Sequence, residues 1–231
     1  MSELKHESAG KLNRLMLASG MIVAAMSIIS AYAWLELPTD TQIPVHWGFN
    51  GQPDRYNDKI PGLLYLPAVT LAVGLLFRLF PLIEPRRNNL LRSWTAYRNV
   101  CLAVCLLMFG LHAAHIGNLL GLVAFDTLNV VGVLFAVVLI VSGNYLGKVR
   151  SNFMFGIRTP WTLTSDLSWN KTHRLGGRLF VLAGCVGLLG QVISFANPVS
   201  VLISVLIPIV LFLFAYSYLV WRDDPHKQNS H

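Results

Sequence analysis

Two pairs of polar side chains lie at neighbouring ends of two apolar runs, where they could bind a metal ion or carry protons. His112 and His115 are three residues apart, and Asp126 and Asn129 repeat this spacing after a short turn. Residues three apart share one face of a helix. Two histidines and a carboxylate can ligate zinc and leave one position open for water, and histidines can relay protons. Alternatively, this His/Asp cluster is a set of interfacial residues that hydrogen-bond to each other and to water.

No second arrangement of residues indicates an enzyme. The sequence contains no H-E-x-x-H, G-x-S-x-G, phosphate-binding or dinucleotide-binding motif. A membrane-embedded metal-dependent hydrolase or a small proton-coupled transporter would depend on the His/Asp cluster, and a transporter would favour an internal repeat. Cys101, Cys105 and Cys185 fall inside apolar runs and indicate no disulfide or thiolate site. We expect a non-enzymatic protein without a metal or cofactor.

The elements that position these residues are predicted to be membrane-spanning helices. Of the 231 residues, 54% are hydrophobic and 13% are charged, whereas soluble domains carry about 25% charged residues. A spanning helix needs about 20 mostly apolar residues. We therefore predict an all-α bundle in one membrane domain, residues 1–231, with six spans: Leu15–Leu35, Gly62–Ile83, Trp94–Ile116, Val123–Ser142, Leu175–Phe195 and Val199–Trp221.

The positive charge of the chain follows the ends of these runs. The net charge is +7, but basic residues at helix ends fix topology and meet anionic head groups, so direct nucleic-acid binding is not expected. With a cytoplasmic N-terminus, sixteen of the eighteen lysines and arginines lie inside, and only Arg55 and Lys59 lie outside. The prediction is a multi-pass cell-membrane protein with both termini cytoplasmic. Ala31-Tyr32-Ala33 is similar to a signal-peptide cleavage site, but the long apolar run before it favours a retained helix.

The longest polar segment, residues 144–177, is predicted to lie on the cytoplasmic side. Gly and Asn are favoured just past a helix C-terminus, so Gly143 and Asn144 are expected to end the fourth helix. The residue before a proline avoids the helical region, which predicts an extended Thr159-Pro160 before Trp161. Backbone outside a helix must find hydrogen bonds in water or protein. A segment of this length therefore needs a fold of its own or a function.

A helix is predicted in the second half of this segment. A hydroxyl at 164 or 165 can cap a helix that begins at Asp166, whose carboxylate suits the positive N-terminus. Trp169, Thr172 and His173 then share one face. We expect an amphipathic cytoplasmic surface helix with Trp161 and Trp169 as interfacial anchors. Its basic patch consists of Arg158, Lys171, Arg174 and Arg178. These residues would bind lipid head groups, dock a cytosolic partner, or form a polar plug tied to the helix bundle.

The segment 36–60 is predicted to lie on the outer side. Val45, Trp47 and Phe49 alternate with small or polar residues, as in a short extended segment. Asn50-Gly51 and the residues after it are typical of a turn. The simplest interpretation is a compact loop that caps the first two helices.

Two groups of residues in these segments resemble the SdpI family of bacterial membrane proteins. The first is Ile43-Pro44-Val45-His46-Trp47 followed by Asn50-Gly51-x-Pro53-Asp54-Arg55. The second, more specific group begins with Gly143-Asn144-Tyr145-Leu146 and Asn152-Phe153. It continues with Gly156-Ile157-Arg158-Thr159-Pro160-Trp161-Thr162-Leu163 and Trp169-x-x-Thr172-His173-Arg174-Leu175-x-Gly177. The resemblance covers 15–83, the N-terminal helix pair with its outer loop, and 123–221.

The resemblance implies a multi-pass protein of the bacterial inner or plasma membrane that gives immunity to a secreted antibacterial peptide. It also implies signalling, in which the protein holds a cytosolic transcriptional repressor at the membrane. The outer-loop recognition residues would be Pro44, His46, Trp47, Pro53, Asp54 and Arg55. The partner-binding residues of the inner segment would be Asn144, Asn152, Gly156, Arg158, Thr159, Pro160, Trp161, Trp169, Thr172, His173 and Arg174.

Overall fold

The computed structural model describes residues 2–48, 51–193 and 198–227, and these residues are mostly helical. Phe49 and Asn50, which the sequence assigns to an extended segment and a turn, lie outside the described residues. The elements in chain order are α1 (Ser2–Glu36), β1 (Ile43–Trp47), β2 (Pro53–Asn57), α2 (Lys59–Ile83), α3 (Arg87–Arg92), α4 (Trp94–Leu119), α5 (Thr127–Leu146), α6 (Pro160–Thr164), α7 (Asp166–Ile193) and α8 (Pro198–Arg222).

Five helices in the described part of the chain are long and apolar enough to cross a membrane, which makes this a helical membrane protein. They correspond to five of the six predicted spans, and large apolar side chains are exposed along them, as expected of surfaces that face lipid. The five segments are Ala9–Glu36, Lys59–Ile83, Trp94–Leu119, Thr127–Leu146 and Val199–Arg222.

The remaining predicted span, Leu175–Phe195, forms the C-terminal part of α7, and its last two residues lie outside the described ranges. The predicted surface helix from Asp166 does begin where expected, but it continues without a break into this segment. The predicted separate surface helix and the predicted fifth span are therefore one helix of 28 residues. Gly176 and Gly177 do not interrupt it, because both pack against neighbouring elements.

The segment between α1 and α2 is a β-hairpin that covers one end of the bundle, here named the hairpin face. β1 and β2 pair antiparallel, with Ile43 opposite Asn57 and Trp47 opposite Pro53. Gly51, at φ +79°, turns the chain between them. A Cβ on Gly62 would lie 2.6 Å from Cβ of Ile43, so the hairpin rests directly on α2. The opposite end, which carries residues 147–165, is named the loop face.

The helices form two groups that meet at α4 and α5. α1 packs against α2 and α4, whereas α7 packs between α5 and α8. Glycines bring α5 and α7 into backbone contact: a Cβ on Gly177 would lie 2.6 Å from the carbonyl oxygen of Gly143, and one on Gly184 would lie 2.6 Å from that of Ala136. Small residues at such contacts let helices approach closely in a membrane.

We expect Gly184→Ala to lower the free energy of unfolding by about 1–3 kcal/mol, because the added methyl group overpacks the α5–α7 contact. Gly20→Ala is the matched control, since a Cβ there meets nothing within 4 Å and alanine favours the helix. Thermal unfolding in detergent, followed by circular dichroism, compares the two variants. Equal stability of both would contradict the close contact.

Candidate functional site

The loop between α5 and α7 is organised around one buried histidine. His173 is 1% exposed, and both of its ring nitrogens are hydrogen-bonded. Nδ1 lies 2.8 Å from the carbonyl oxygen of Trp169, and Nε2 lies 2.9 Å from the backbone N–H of Ile157. A carbonyl only accepts and an N–H only donates, so Nδ1 carries the proton and Nε2 accepts. The geometry therefore selects a neutral imidazole.

Glycine is required where the loop passes this ring. Gly156 has φ +118°, a conformation that side-chain-bearing residues rarely adopt. A Cβ at this position would lie 2.5 Å from Nε2 of His173. Any larger residue would thus meet both backbone strain and a clash with the atom that binds Ile157.

Trp169 is part of this site, and its predicted role as an interfacial anchor is wrong. Its ring stacks on His173 with centroids 3.9 Å apart, and its indole N–H donates to the carbonyl oxygen of Val149 at 2.7 Å. The side chain is 1% exposed, so it cannot contact the membrane interface. The predicted shared face of Trp169 and His173 is confirmed, but this face points into the protein because the loop folds over it.

The first half of the loop is held by the amide of Asn152, which is fully buried. Its nitrogen donates to the carbonyl oxygens of Arg150 and Phe155 at 2.9 and 3.0 Å. Its oxygen accepts from the backbone N–H groups of Met154 and Phe155 at 3.0 and 2.7 Å. The side chain thus supplies the hydrogen bonds that a helix would otherwise provide, which makes a compact non-helical turn possible at this position.

Residues between α2 and α4 bind the same loop from the other half of the molecule, and sequence reasoning did not identify them. The buried carboxylate of Glu84 accepts the backbone N–H of Phe153 at 3.0 Å. Arg86 donates to the Ser151 hydroxyl and, at 3.0 Å, to the carbonyl oxygen of Leu163. Asn89 and Ser93 add bonds to Ser151 and Arg150. The available signal was a dense polar stretch, EPRRNN, between two apolar runs.

The second half of the loop differs from the prediction near Thr159. Thr159 is extended, as expected before a proline, but Pro160 begins the short helix α6 that contains Trp161. Thr159 and Thr162 form a capping box, and the Thr159 hydroxyl lies 3.0 Å from that of Ser217 on α8. The extended segment is therefore shorter than predicted, because proline fits the first position of a helix. Trp161 is half-buried against the rings of Phe214 and Tyr218.

The predicted inner residues fall into a buried and an exposed group. α5 continues to Leu146 with Gly147 as its cap, so Asn144 lies within the helix and does not end it. Thr172 is fully buried. Arg158 is exposed, and its guanidinium donates to the carbonyl oxygen of Phe153 at 2.7 Å. Asn144, Pro160 and Arg174 are also exposed.

The tail after α8 closes one side of a polar cavity of about 450 Å³ at the loop face, lined in part by Arg86, Asn89 and Asp166. Asp224 accepts the hydroxyl of Ser165, and this bond, with a second from the backbone N–H of His226, lowers the pKa of the Asp224 carboxyl. Ser165 also caps α7 by accepting the N–H of Ser168 at 2.9 Å. The start of α7 is thus tied to the end of the chain.

At the hairpin face, the predicted recognition residues lie together on the two strands. His46 and Asp54 are exposed and pair across the hairpin, with Nδ1 and Oδ1 2.6 Å apart. Arg55 is also exposed. The Trp47 ring meets that of His115 edge-on, with centroids 5.3 Å apart. Beneath the hairpin is a mainly apolar cavity of about 140 Å³ whose lining includes Pro44 and Trp47, and Pro53 is half-buried.

The His/Asp cluster predicted from the sequence does not form. Nε2 of His112 lies 3.1 Å from both the carbonyl oxygen of Met26 and the hydroxyl of Ser30, so this buried ring binds α1. Asp126 instead caps α5 by accepting the N–H of Asn129 at 2.9 Å, and both residues are exposed. In the described part of the chain no group of three or more His, Cys, Asp or Glu residues could hold a metal ion.

Comparison with known proteins finds a match for the region of the loop and another for the region of the hairpin. Residues 148–218 match the model of the SdpI/YfhL protein family, and residues 21–71 match a domain of unknown function, DUF1648. The first match contains the loop around His173 from residue 148 onwards. The chain is a membrane protein of the SdpI/YfhL family. Its DUF1648 domain comprises parts of α1 and α2 and the hairpin between them.

A curated relative extends the match across most of the chain. The "Immunity protein SdpI" of Bacillus subtilis (strain 168) is 26% identical over 195 residues, which are 84% of this chain and 87% of that protein. The family membership predicted from the sequence is therefore confirmed, and this chain is a distant homologue of that protein. No solved structure matches the chain.

The burial of His173 predicts a pH-dependent stability. Burial lowers the pKa of His173 to about 4, below its ordinary value of about 6.5. The unfolded chain therefore binds the extra proton first, so stability is complete above pH 6.5 and declines as the pH falls toward 4. At pH 5 the loss is about 2 kcal/mol. Unfolding at pH 7.5 and 5 measures it, and His173→Gln should remove most of this difference; an unchanged pH dependence in that variant would assign the effect elsewhere.

We expect Gly156→Ala to open the loop, because strained backbone of this kind costs about 1–3 kcal/mol even before the contact with His173 is counted. Gly121→Ala is the control, since Gly121 also has positive φ, +67°, but nothing lies within 4 Å of its Cβ position. Trypsin cleavage after the exposed Arg158 reports loop opening. Cleavage should be faster only in Gly156→Ala, and equal rates in both variants would contradict the role of the contact.

Proposed function

We propose that this SdpI/YfhL family protein gives its host immunity to a secreted antibacterial peptide and signals the presence of that peptide by binding a cytosolic regulator. The observation that carries the proposal is the 26% identity to an immunity protein over 84% of this chain. The aligned length is long enough to take in both the hairpin and the loop. The proposed activity is binding without chemistry.

The hairpin face is the proposed recognition surface for the peptide. The basic residues support its position outside the cell, because the opposite end carries most of the lysines and arginines. The hairpin presents a charged pair, His46 with Asp54, beside the exposed Arg55. Trp47 lines an apolar cavity of about 140 Å³, which we propose receives one side chain of the bound peptide. This combination suits an amphipathic peptide at the membrane surface.

The loop face is the proposed docking surface for the regulator. Its exposed cations, among them Arg150, Arg158 and Lys171, offer charge to an acidic surface. The buried residues of the signature, above all Asn152, Trp169 and His173, would act indirectly by fixing the shape of the loop. Substitutions at the exposed cations should therefore affect docking alone. Substitutions at the buried residues should also affect folding.

Helix α2 offers a route between the two surfaces. At its start, the ammonium group of Lys59 donates to the carbonyl oxygen of Leu37 beside the hairpin. Just after its end, Glu84 binds the loop backbone. A helix that is held at both ends can transmit a displacement from one surface to the other.

The test of immunity uses a peptide-sensitive Bacillus subtilis strain that lacks its own immunity protein. Expression of this chain should restore growth in the presence of the secreted peptide, and Arg55→Ala with His46→Ala should weaken protection at least tenfold. Asp40→Ala is the control, because Asp40 is exposed in the same connection but precedes the hairpin. Membrane abundance is measured for each variant. Absence of protection by the wild-type chain at normal abundance would refute the proposed immunity.

Signalling is tested separately with Arg158, whose guanidinium reaches the loop backbone while remaining exposed. Arg158→Ala should abolish membrane recruitment of a fluorescently labelled regulator and leave peptide protection intact. Arg158→Lys keeps the charge but loses the planar geometry, so recruitment should also fail if the site needs a guanidinium group. Normal recruitment of the regulator in both variants would mean that Arg158 only helps to fix the membrane topology.

A further inference from the structure

A groove runs between α5 and α7 at the edge of the loop face, with a volume of about 480 Å³. Glycines form its floor, because the two helices are in backbone contact at Gly143 and Gly177. Three basic side chains border it: Lys148 just after α5, and Arg174 and Arg178 on α7. The arginines are four residues apart and therefore share one helix face. The groove thus concentrates three positive charges over an uncharged floor.

These cations have no acidic partner in the described part of the chain. Lys148, Arg174 and Arg178 are all exposed, and the ion pairs between described residues involve other groups. Lys148 does contact the ring of Tyr145, with its nitrogen 5.1 Å from the ring centroid, which orients its ammonium group without neutralising it. The three charges therefore remain available to an external anion.

The depth of Arg178 indicates where this anion comes from. Its neighbour Gly177 lies against Gly143, which precedes the end of the membrane-spanning α5 by three residues. Arg178 therefore lies about a turn inside the end of a span, where an exposed charge is costly unless it meets an anion or extends to the interface. Phosphate groups of lipids are the anions present at this level of a membrane.

Apolar residues continue the groove along α7 on the side away from the loop. Leu182 and Leu189 are 57% and 60% exposed, and with Cys185 they follow Arg178 at spacings of four, three and four residues. Such spacing places them on the same helix face. A phosphate bound by the arginines would therefore have its acyl chains beside a continuous apolar stripe.

We propose that this groove binds an anionic phospholipid, with Lys148, Arg174 and Arg178 contacting its phosphate and the α7 stripe contacting its acyl chains. Basic pockets between transmembrane helices have this preference for anionic head groups. Three cations favour a lipid with two phosphates, such as cardiolipin, over one with a single negative charge. The site fixes α5 against α7 at the point where the loop begins.

The experiment titrates the purified full-length chain with cardiolipin, phosphatidylglycerol and phosphatidylcholine of matched acyl chains, and native mass spectrometry counts the bound lipid. Affinity should decrease in that order. Each removed charge should weaken cardiolipin binding roughly fivefold, so Arg174→Gln with Arg178→Gln should weaken it roughly 25-fold. Arg14→Gln with Arg92→Gln is the control, because it removes two exposed charges outside the groove and should change binding less than about twofold.

Each of the following results would overturn the proposal. If the groove variant and the control variant lose the same affinity for cardiolipin, binding depends on the total charge of the protein. Equal affinity for phosphatidylcholine would mean that the cations make no contribution. Full displacement of lipid by glycerol phosphate would identify a site for a free anion. If the double variant does not fold, as judged by circular dichroism, Lys148→Gln alone must still weaken cardiolipin binding roughly fivefold. Unchanged cardiolipin binding in Lys148→Gln would also overturn the proposal.

Discussion

The loop face depends on the requirement that backbone outside a helix be hydrogen-bonded wherever water is excluded. Residues 147–159 lie outside the helices, at the edge of a membrane-spanning bundle. Few of their carbonyl and N–H groups form hydrogen bonds with other backbone groups. Side chains supply them instead: the amide of Asn152, the imidazole of His173, the indole of Trp169 and the carboxylate of Glu84. Each of these polar groups is buried and would be costly if left without its partner. The loop and its supports are therefore stable only together.

This mutual dependence explains which features the sequence predicted. Apolar length located five spans, and local chemistry located the start of α7 at Asp166, because both signals are contained in a short window. The burial of Trp169 is not a local property, since it follows from a loop that folds back from residues 149–157. His112 shows the same limit: its partner, the carbonyl oxygen of Met26, lies 86 residues earlier in the chain. Spacing identified a plausible metal cluster, but helix packing directed its members to different partners.

The two regions that match known families are joined by residues that neither match contains. The DUF1648 match ends at residue 71, and the SdpI/YfhL match begins at residue 148. Between them, Glu84, Arg86 and Asn89 hold the loop through its backbone and the Ser151 hydroxyl. A hydrogen bond to a backbone group of the loop does not depend on the side chain at that loop position. The connection between the halves therefore lies outside both matched regions, although it fixes their relative position.

The order of these contacts along the chain has a consequence for biogenesis. Glu84 leaves the ribosome well before Phe153, the residue whose backbone it binds, whereas Trp169 and His173 follow the loop segments that they hold. The nascent loop therefore remains hydrated until the first turns of α7 have been synthesised, and only then can it close between a support that is already in place and one that has just appeared. Synthesis of α7 is thus coupled to closure of the loop face.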